Sequence, residues 1–271
     1  MTRYTRIVFT AADNNLLSEV RACVGKWSTS LAPIARLRDR LLNLQNLRCV
    51  YCQAPIEAEE IGYRELEHIL PKGKSSRCTQ QSGTSNLPSK RRATLGYPEF
   101  MFEPLNLAIS CKQCNNLKGM HDCLVDRSQA RPLRAYPQAR GLLWFHPHHE
   151  CYDTHISIDD DFSFTGLTDG GRAVIKECGL DRVEVLTRKF YARAKTRAKH
   201  ADSMRKKVES LASGVESFYF SKADAARSLS EDCSISLVDA THLITCRLNA
   251  ITALELEALY EQCNQYDGGV D

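Results

Sequence analysis

The chain has 271 residues, 43% of them hydrophobic and 25% charged, with a formal net charge of +3. This length and composition suit a globular protein with at least one substantial core. Apolar runs such as Leu142 to Phe145 are far too short to span a bilayer. The first residues carry some positive charge but no long apolar stretch, so no signal peptide is expected and a cytoplasmic location is.

In chain order, Asp13 is the expected N-cap of a helix whose apolar stripe is Leu16, Val20, Cys23 and Trp27. Pro33 suits the first turn of a second helix, with Ile34, Leu37, Leu41 and Leu44 on one face. That helix leads into Cys49-Val50-Tyr51-Cys52. A second pair, Cys111-Lys112-Gln113-Cys114, follows about sixty residues later. Between the pairs, Lys72 to Tyr97 contains no Asp or Glu and shows no helical or strand period. It reads as a mobile basic loop, serving either as a nucleic-acid clamp or as a disordered insertion.

The chain is expected to be irregular from Gly119 to about Gly141. Two strands are predicted at 154–158 and 162–167, around the acidic turn Asp159-Asp160-Asp161. A long helix is predicted from about Asp181, with an apolar stripe from Val183 to Leu211 and basic residues, Lys189 among them, over the rest of its surface. Further helices are expected near 236–248 and 253–263. Charge is uneven along this half: residues 182–207 hold ten Lys/Arg against two acids, and residues 208–271 hold three against eleven. The basic face could track a nucleic-acid backbone or simply be solvated; the acidic end more plausibly meets protein.

Of the 12 cysteines, four lie in the two Cys-x-x-Cys pairs. Four thiolates at this spacing close a tetrahedral zinc site with no open position, which is a structural site. The remaining cysteines read as buried free thiols. His146, His148, His149, Cys151 and His155 form a cluster that is either a second metal site or part of a hairpin.

Enclosed by the pairs are Glu67-His68-Ile69-Leu70-Pro71 and Asn106, and Asn115 follows directly on Cys114. This set resembles the HNH (ββα-metal) endonuclease family in its zinc-clamped form. The resemblance covers roughly residues 45 to 120. It extends more weakly through His155-Ile156 and Cys178-Gly179-Leu180-Asp181-Arg182 to Arg188. In layout the chain is similar to the nuclease subunits of Septu-type and retron-associated anti-phage systems, the former working beside an ATPase. The resemblance implies an α-rich α+β fold with a ββα-metal core inside a helical frame. It implies a zinc held by Cys49, Cys52, Cys111 and Cys114, and a catalytic Mg²⁺ or Mn²⁺ held by Glu67 and Asn115. The name-giving pattern ends in His where this chain has Asn115; Asn is a variant there, and a neutral amide binds metal more weakly than a carboxylate.

The chemistry of the residues agrees with that assignment. Phosphodiester hydrolysis needs an activated water and charge relief at phosphorus and on the leaving oxygen. His68, neutral at cellular pH, can take the water's proton. Glu67 and Asn115 offer hard oxygen donors, and Asn106 would orient the His68 loop through backbone hydrogen bonds. Lys118, Lys72, Lys74, Arg91 and Arg92 are the expected phosphate contacts.

The expected layout is a helical segment at 1–44, the nuclease core at 45–125 and a hairpin with the basic helix at 126–207. Acidic helices at 208–271 would offer a surface to a regulatory partner such as an ATPase. The expected activity is metal-dependent cleavage of DNA, leaving 5′-phosphate and 3′-hydroxyl ends, in anti-phage defence. An RNA-cleaving effector acting on tRNA, for example, and a non-catalytic zinc-stabilised binding module remain alternatives.

Overall fold

The computed structural model describes residues 3–56, 64–159 and 162–249. Within them the chain is an α-rich α+β protein with two small antiparallel sheets. It divides into two units that meet between Lys189 and Phe190. The helix expected at 253–263 and two residues of the acidic turn, Asp160 and Asp161, lie outside the described residues. Among the described residues, no helix is long and apolar enough to cross a membrane.

The first unit opens with α1 (Asn14–Arg21) and α2 (Ala32–Leu44). Helix α2 follows its sequence closely: Pro33 lies in the first turn, and Ile34, Leu37, Leu41 and Leu42 are buried. Helix α1 is shorter than its stripe predicted, because the chain leaves it at Ala22 and turns through Gly25 at φ +87°. Trp27 is thereby freed from the helix. Asp13 makes no side-chain cap on α1; it accepts from the Thr10 backbone at 2.8 Å and pairs with Arg40 at 2.7 Å.

Strand β1 (Glu65–His68) pairs antiparallel with β2 (Leu107–Ser110), after the short α3 (Gln80–Thr84) in the intervening segment. Helix α4 (Lys112–Lys118) starts directly after β2, with Cys111 as its N-cap residue. Further on, β3 (Ile156–Ile158) pairs with β4 (Phe164–Gly166), close to the predicted hairpin. Helix α5 (Asp169–Glu177), capped by Thr168, was not anticipated. One buried cluster joins Tyr4 and Ile7, the apolar faces of α1 and α2, both cysteine pairs, β2, and Ile156 and Ile158 of β3.

The insertion between β1 and β2 is ordered, contrary to the expectation of a mobile loop. Its organiser is Arg127, which is fully buried and lies outside the insertion. The guanidinium pairs with Asp122 at 3.0 Å and donates to the carbonyls of Gly83, Ser85, Lys90 and Ala93. Asp122 in turn accepts from the Thr94 and Tyr97 hydroxyls at 2.8 and 2.9 Å. A five-donor fork satisfied by one carboxylate and four carbonyls replaces the regular hydrogen bonding that this Ser/Gly/Thr-rich stretch lacks.

Helix α6 (Val183–Glu216) begins in the first unit. Lys189, read from sequence as a surface cation, is buried, with its ammonium 4.3 Å from the Phe164 ring centre. Burial pushes its pKa down to about 8. In the second unit, Met204 and Val208 of α6 share a buried cluster with α7 (Lys222–Cys233) and α8 (Leu237–Leu248). Ser221 and Ser236 cap α7 and α8 by accepting from Asp224 and Asp239 backbone N–H groups. Helix α8 was expected and α7 was not.

The described free thiols are not all buried: Cys151 is exposed and Cys23 and Cys233 are half-buried. Nor do the clustered histidines form a metal site, since among the described residues only the paired cysteines bring three or more ligand atoms together. They are packing groups. His148 stacks on Phe9 at 5.3 Å, and His155 stacks on Phe145 at 5.0 Å.

Two stability tests follow. Arg127→Ala strands a buried Asp122 carboxylate and should cost about 3–5 kcal/mol in urea denaturation, with amide protection lost across 80–97. Burial depresses the pKa of His146 to about 2 and of His148 to about 4, against an ordinary value near 6.5. Such groups add stability that is complete above the unfolded pKa and is lost as pH falls towards the folded one. Each should therefore destabilise the protein by about 2 kcal/mol at pH 5 relative to pH 7.5, read from urea midpoints, and His146→Gln should shrink that loss.

Candidate functional site

Cys49 and Cys52 sit on a tight turn. Its return is made by the Gln53 N–H donating to the Cys49 carbonyl at 3.1 Å, with Gln53 itself left-handed at φ +59°. The Val50 N–H donates to the Ile109 carbonyl at 2.9 Å, tying this turn to β2. The second pair starts α4, and the Cys111 N–H donates to the Cys49 sulfur at 3.3 Å. All four sulfurs are buried and lie within 4.8 Å of one another. Zn–S bonds of about 2.3 Å in a tetrahedron separate sulfurs by roughly 3.8 Å, and the Cys52 and Cys111 sulfurs are 3.9 Å apart. The residues therefore fit a closed, structural zinc. Four buried thiolates with no cation among them would carry a heavy electrostatic cost.

Beside this cluster, strand alternation places Glu65 and Glu67 on one face of β1 and Leu66 and His68 on the other. Helix α4 meets the glutamate face. Asn115 donates its amide N–H to Glu65, and Lys118 forms an ion pair with Glu67. Glu67 also accepts from the Tyr51 hydroxyl at 3.2 Å. Burial raises the Glu67 pKa, while Lys118 and the Tyr51 hydroxyl pull against that rise. The expected pair of metal ligands is thus split: Asn115 touches Glu65, and Glu67 touches Lys118. Glu65 escaped the sequence reading, although its place two residues before Glu67 on a strand was the available signal.

The His68 ring packs edge-on against Trp27 at 4.4 Å, and its Nε2 donates to the Met101 carbonyl at 3.1 Å. A carbonyl can only accept, so Nε2 carries the hydrogen and Nδ1 keeps the free lone pair. Burial first, then the nearby positive charge of Lys72, pushes the His68 pKa down to about 3, leaving the ring neutral. Asn106 fixes both sides of this arrangement. Its amide accepts from the Leu70 N–H at 2.7 Å and donates to the Leu70 and Phe100 carbonyls, both at 3.1 Å. The Tyr136 hydroxyl donates to the Asn106 side-chain oxygen and accepts from His146, each at 3.2 Å. His148 holds the Leu107 carbonyl at 2.9 Å. The histidine cluster thus buttresses the Asn106 loop.

The expected phosphate contacts divide. Lys118 is only 1% exposed and donates to the His68 carbonyl at 2.7 Å, so it is an internal group rather than a surface contact. Arg91 is buried too, donating to the Asp122 and Leu124 carbonyls. Arg92 is exposed but spends donors on the Leu117 and Lys118 carbonyls at the end of α4, 3.0 Å from each. Lys72 lies half-buried over the Trp27 ring at 5.5 Å, and Lys74 is exposed.

Over 82 residues the chain is 35% identical to the Septu protein PtuB of Bacillus thuringiensis; the match covers 30% of this chain and 23% of that protein. The chain thus matches less than a quarter of that relative's length. No family model and no solved structure matches.

The thiol cluster yields a direct test. A structural zinc contributes on the order of 10 kcal/mol, comparable with the whole stability of a domain. The purified chain should carry one zinc per molecule by atomic emission. Cys111→Ser should lose it together with amide-exchange protection at β1, β2 and α4; retained protection without metal would refute the assignment.

Proposed function

We propose that the chain is a zinc-clamped HNH endonuclease that hydrolyses phosphodiester bonds, DNA first among its substrates, as the effector of an anti-phage defence system. The observation that carries this reading is His68. It is a neutral imidazole whose Nε2–H is anchored on a carbonyl and whose Nδ1 is free, on the strand whose other face carries Glu65 against Asn115 and Glu67 against Lys118. The similarity to PtuB, a protein named for the Septu system, supports the defence setting.

In this reading a water attacks phosphorus, its proton passes to His68 Nδ1, and the bond to the 3′ oxygen breaks; that oxygen takes a proton from solvent water, leaving 5′-phosphate and 3′-hydroxyl ends. The Met101 carbonyl stabilises the imidazolium as it forms, because its hydrogen bond to Nε2–H strengthens with the ring's positive charge. Asn106 holds the preceding Phe100 carbonyl and the 68–70 turn in register. Glu67 and Asn115, with Glu65 beside them, offer hard oxygens that suit a Mg²⁺ or Mn²⁺, whose charge would relieve the scissile phosphate and the departing oxygen. Lys72, Lys74 and Arg92 are the cations proposed to meet flanking phosphates, alongside exposed Arg77 and Lys90 of the same insertion. The acidic stretch 208–271 is the proposed surface for a regulatory protein such as an ATPase, and the cytoplasm is the proposed location.

Cleavage of plasmid DNA, single-stranded DNA and tRNA with Mg²⁺ or Mn²⁺ tests the reading, with the chain assayed alone and in extract from its host. His68→Ala should lower the rate at least about 100-fold, and Asn106→Ala about 10–100-fold, with zinc retained in both. Equal cleavage by His68→Ala would remove the mechanism. Selective cutting of tRNA would reassign the substrate to RNA.

A further inference from the structure

We infer that the cleft between β4, α5 and the turn leading into α6 is a second phosphate subsite for the nucleic-acid backbone, separate from the residues around His68; the inference rests on the nuclease reading of the chain. The cleft encloses about 490 Å³, a size common among ligand sites. Arg172 and Lys176 of α5 and Arg182 of the following turn line it, with Phe164 and Ile175 as its apolar part and Asp181 as its one carboxylate. All three cations are exposed. Arg172 and Lys176 stand four residues apart, so both enter the cleft from one face of α5.

Two glycines make room for the two arginines. A Cβ on Gly166 would come within 2.5 Å of the Arg172 Cγ, and one on Gly179, left-handed at φ +58°, within 3.0 Å of the Arg182 Cδ. Arg172 also donates to the Gly166 carbonyl at 3.1 Å and pairs with Asp169 at 2.6 Å, which leaves part of its five-donor fork for a ligand. Side chains laid against backbone in this way have less freedom left to lose on binding. Lys176 and Arg182 have no carboxylate partner among the described residues. A phosphate meets such groups with charge-assisted hydrogen bonds, and a guanidinium can engage two of its oxygens.

The position of the cleft favours a polymer over a free nucleotide. Arg92, one of the cations proposed to meet flanking phosphates, donates to the Leu117 and Lys118 carbonyls at the end of α4. It also donates to the carbonyl of Glu177, at the end of α5, at 3.3 Å. Lys176 is the preceding residue of that helix. The Leu117 side chain would lie 3.2 Å from a Gly179 Cβ, so the backbone under Arg182 packs on α4 as well. Arg92 thus joins the basic insertion to the cleft. A polyanion gains from that continuity of charge; a single nucleotide seated in the cleft does not.

The test is the salt dependence of binding to labelled duplex DNA, and separately to tRNA, by fluorescence polarisation on zinc-loaded full chain carrying His68→Ala to prevent cleavage. Adding Lys176→Gln and Arg182→Gln together should weaken binding at least about tenfold at low salt. The slope of log affinity against log salt should fall by about 2, and by about 1 for Lys176→Gln alone, with melting temperature and zinc content retained. The pair Arg36→Gln and Arg227→Gln, both exposed and outside the cleft, removes the same charge and should leave the slope unchanged. An unchanged slope in the cleft variant, or an equal fall in the control, would overturn the inference. So would a parent chain that binds neither nucleic acid. ATP is titrated in parallel: its loss from the cleft variant with an unchanged slope would reassign the subsite to a free nucleotide. The two readings fail separately. No cleavage by wild type alongside the fall in slope would discard the nuclease and keep the subsite. His68-dependent cleavage without that fall would do the reverse.

Discussion

Everything around the candidate site hangs on four sulfurs drawn to one point. Cys49 and Cys52 belong to a turn that follows α2, and Cys111 and Cys114 to the first turn of α4. Because α4 begins at the clamp, its register is set there. Cys111, Cys114, Asn115 and Lys118 recur at steps of three, one and three, which puts them on one side of the helix. That side faces β1. The same clamp that anchors the helix therefore decides that Asn115 and Lys118, and not Lys112 or Asn116, meet the two glutamates.

Two buried ion pairs then do different work. Arg127 and Asp122 order a stretch with little regular structure by giving its carbonyls and hydroxyls a common hub. Lys118 and Glu67 sit between helix and strand, and Lys118 also grips the backbone of His68. Neither pair is strong support for net stability, since desolvation of both partners offsets most of their attraction. What they supply is geometry: each has few alternative arrangements that leave no charge stranded.

The orientation of His68 shows how far such support extends. One ring nitrogen is tied to Met101, Met101 follows the Phe100 carbonyl held by Asn106, and Asn106 is held by Tyr136 against His146. Buried histidines that looked from sequence like a metal cluster are used instead to keep an asparagine amide in place. Their neutral state follows from burial.

The sequence by itself determined whatever depends on local spacing. Cysteine pairs with two residues between them point to a metal clamp because a short turn alone can bring both sulfurs to one ion. The stripe of α2, the course of α6 and the 154–167 hairpin were readable because periodicity is written along the chain, although Val183, at the head of the expected α6 stripe, is exposed. Asn106 as a backbone anchor was readable by residue type. The tertiary structure decided what depends on distant partners. Helix α1 stops early so that Trp27 can lie against His68, and Arg127 gives order to an insertion that shows no period of its own. Arg91, Lys118 and Lys189 are buried although their type predicts exposure, and Glu65 gains its place only once α4 lies across β1. Burial and charge pairing join residues tens of positions apart, and no local pattern encodes them.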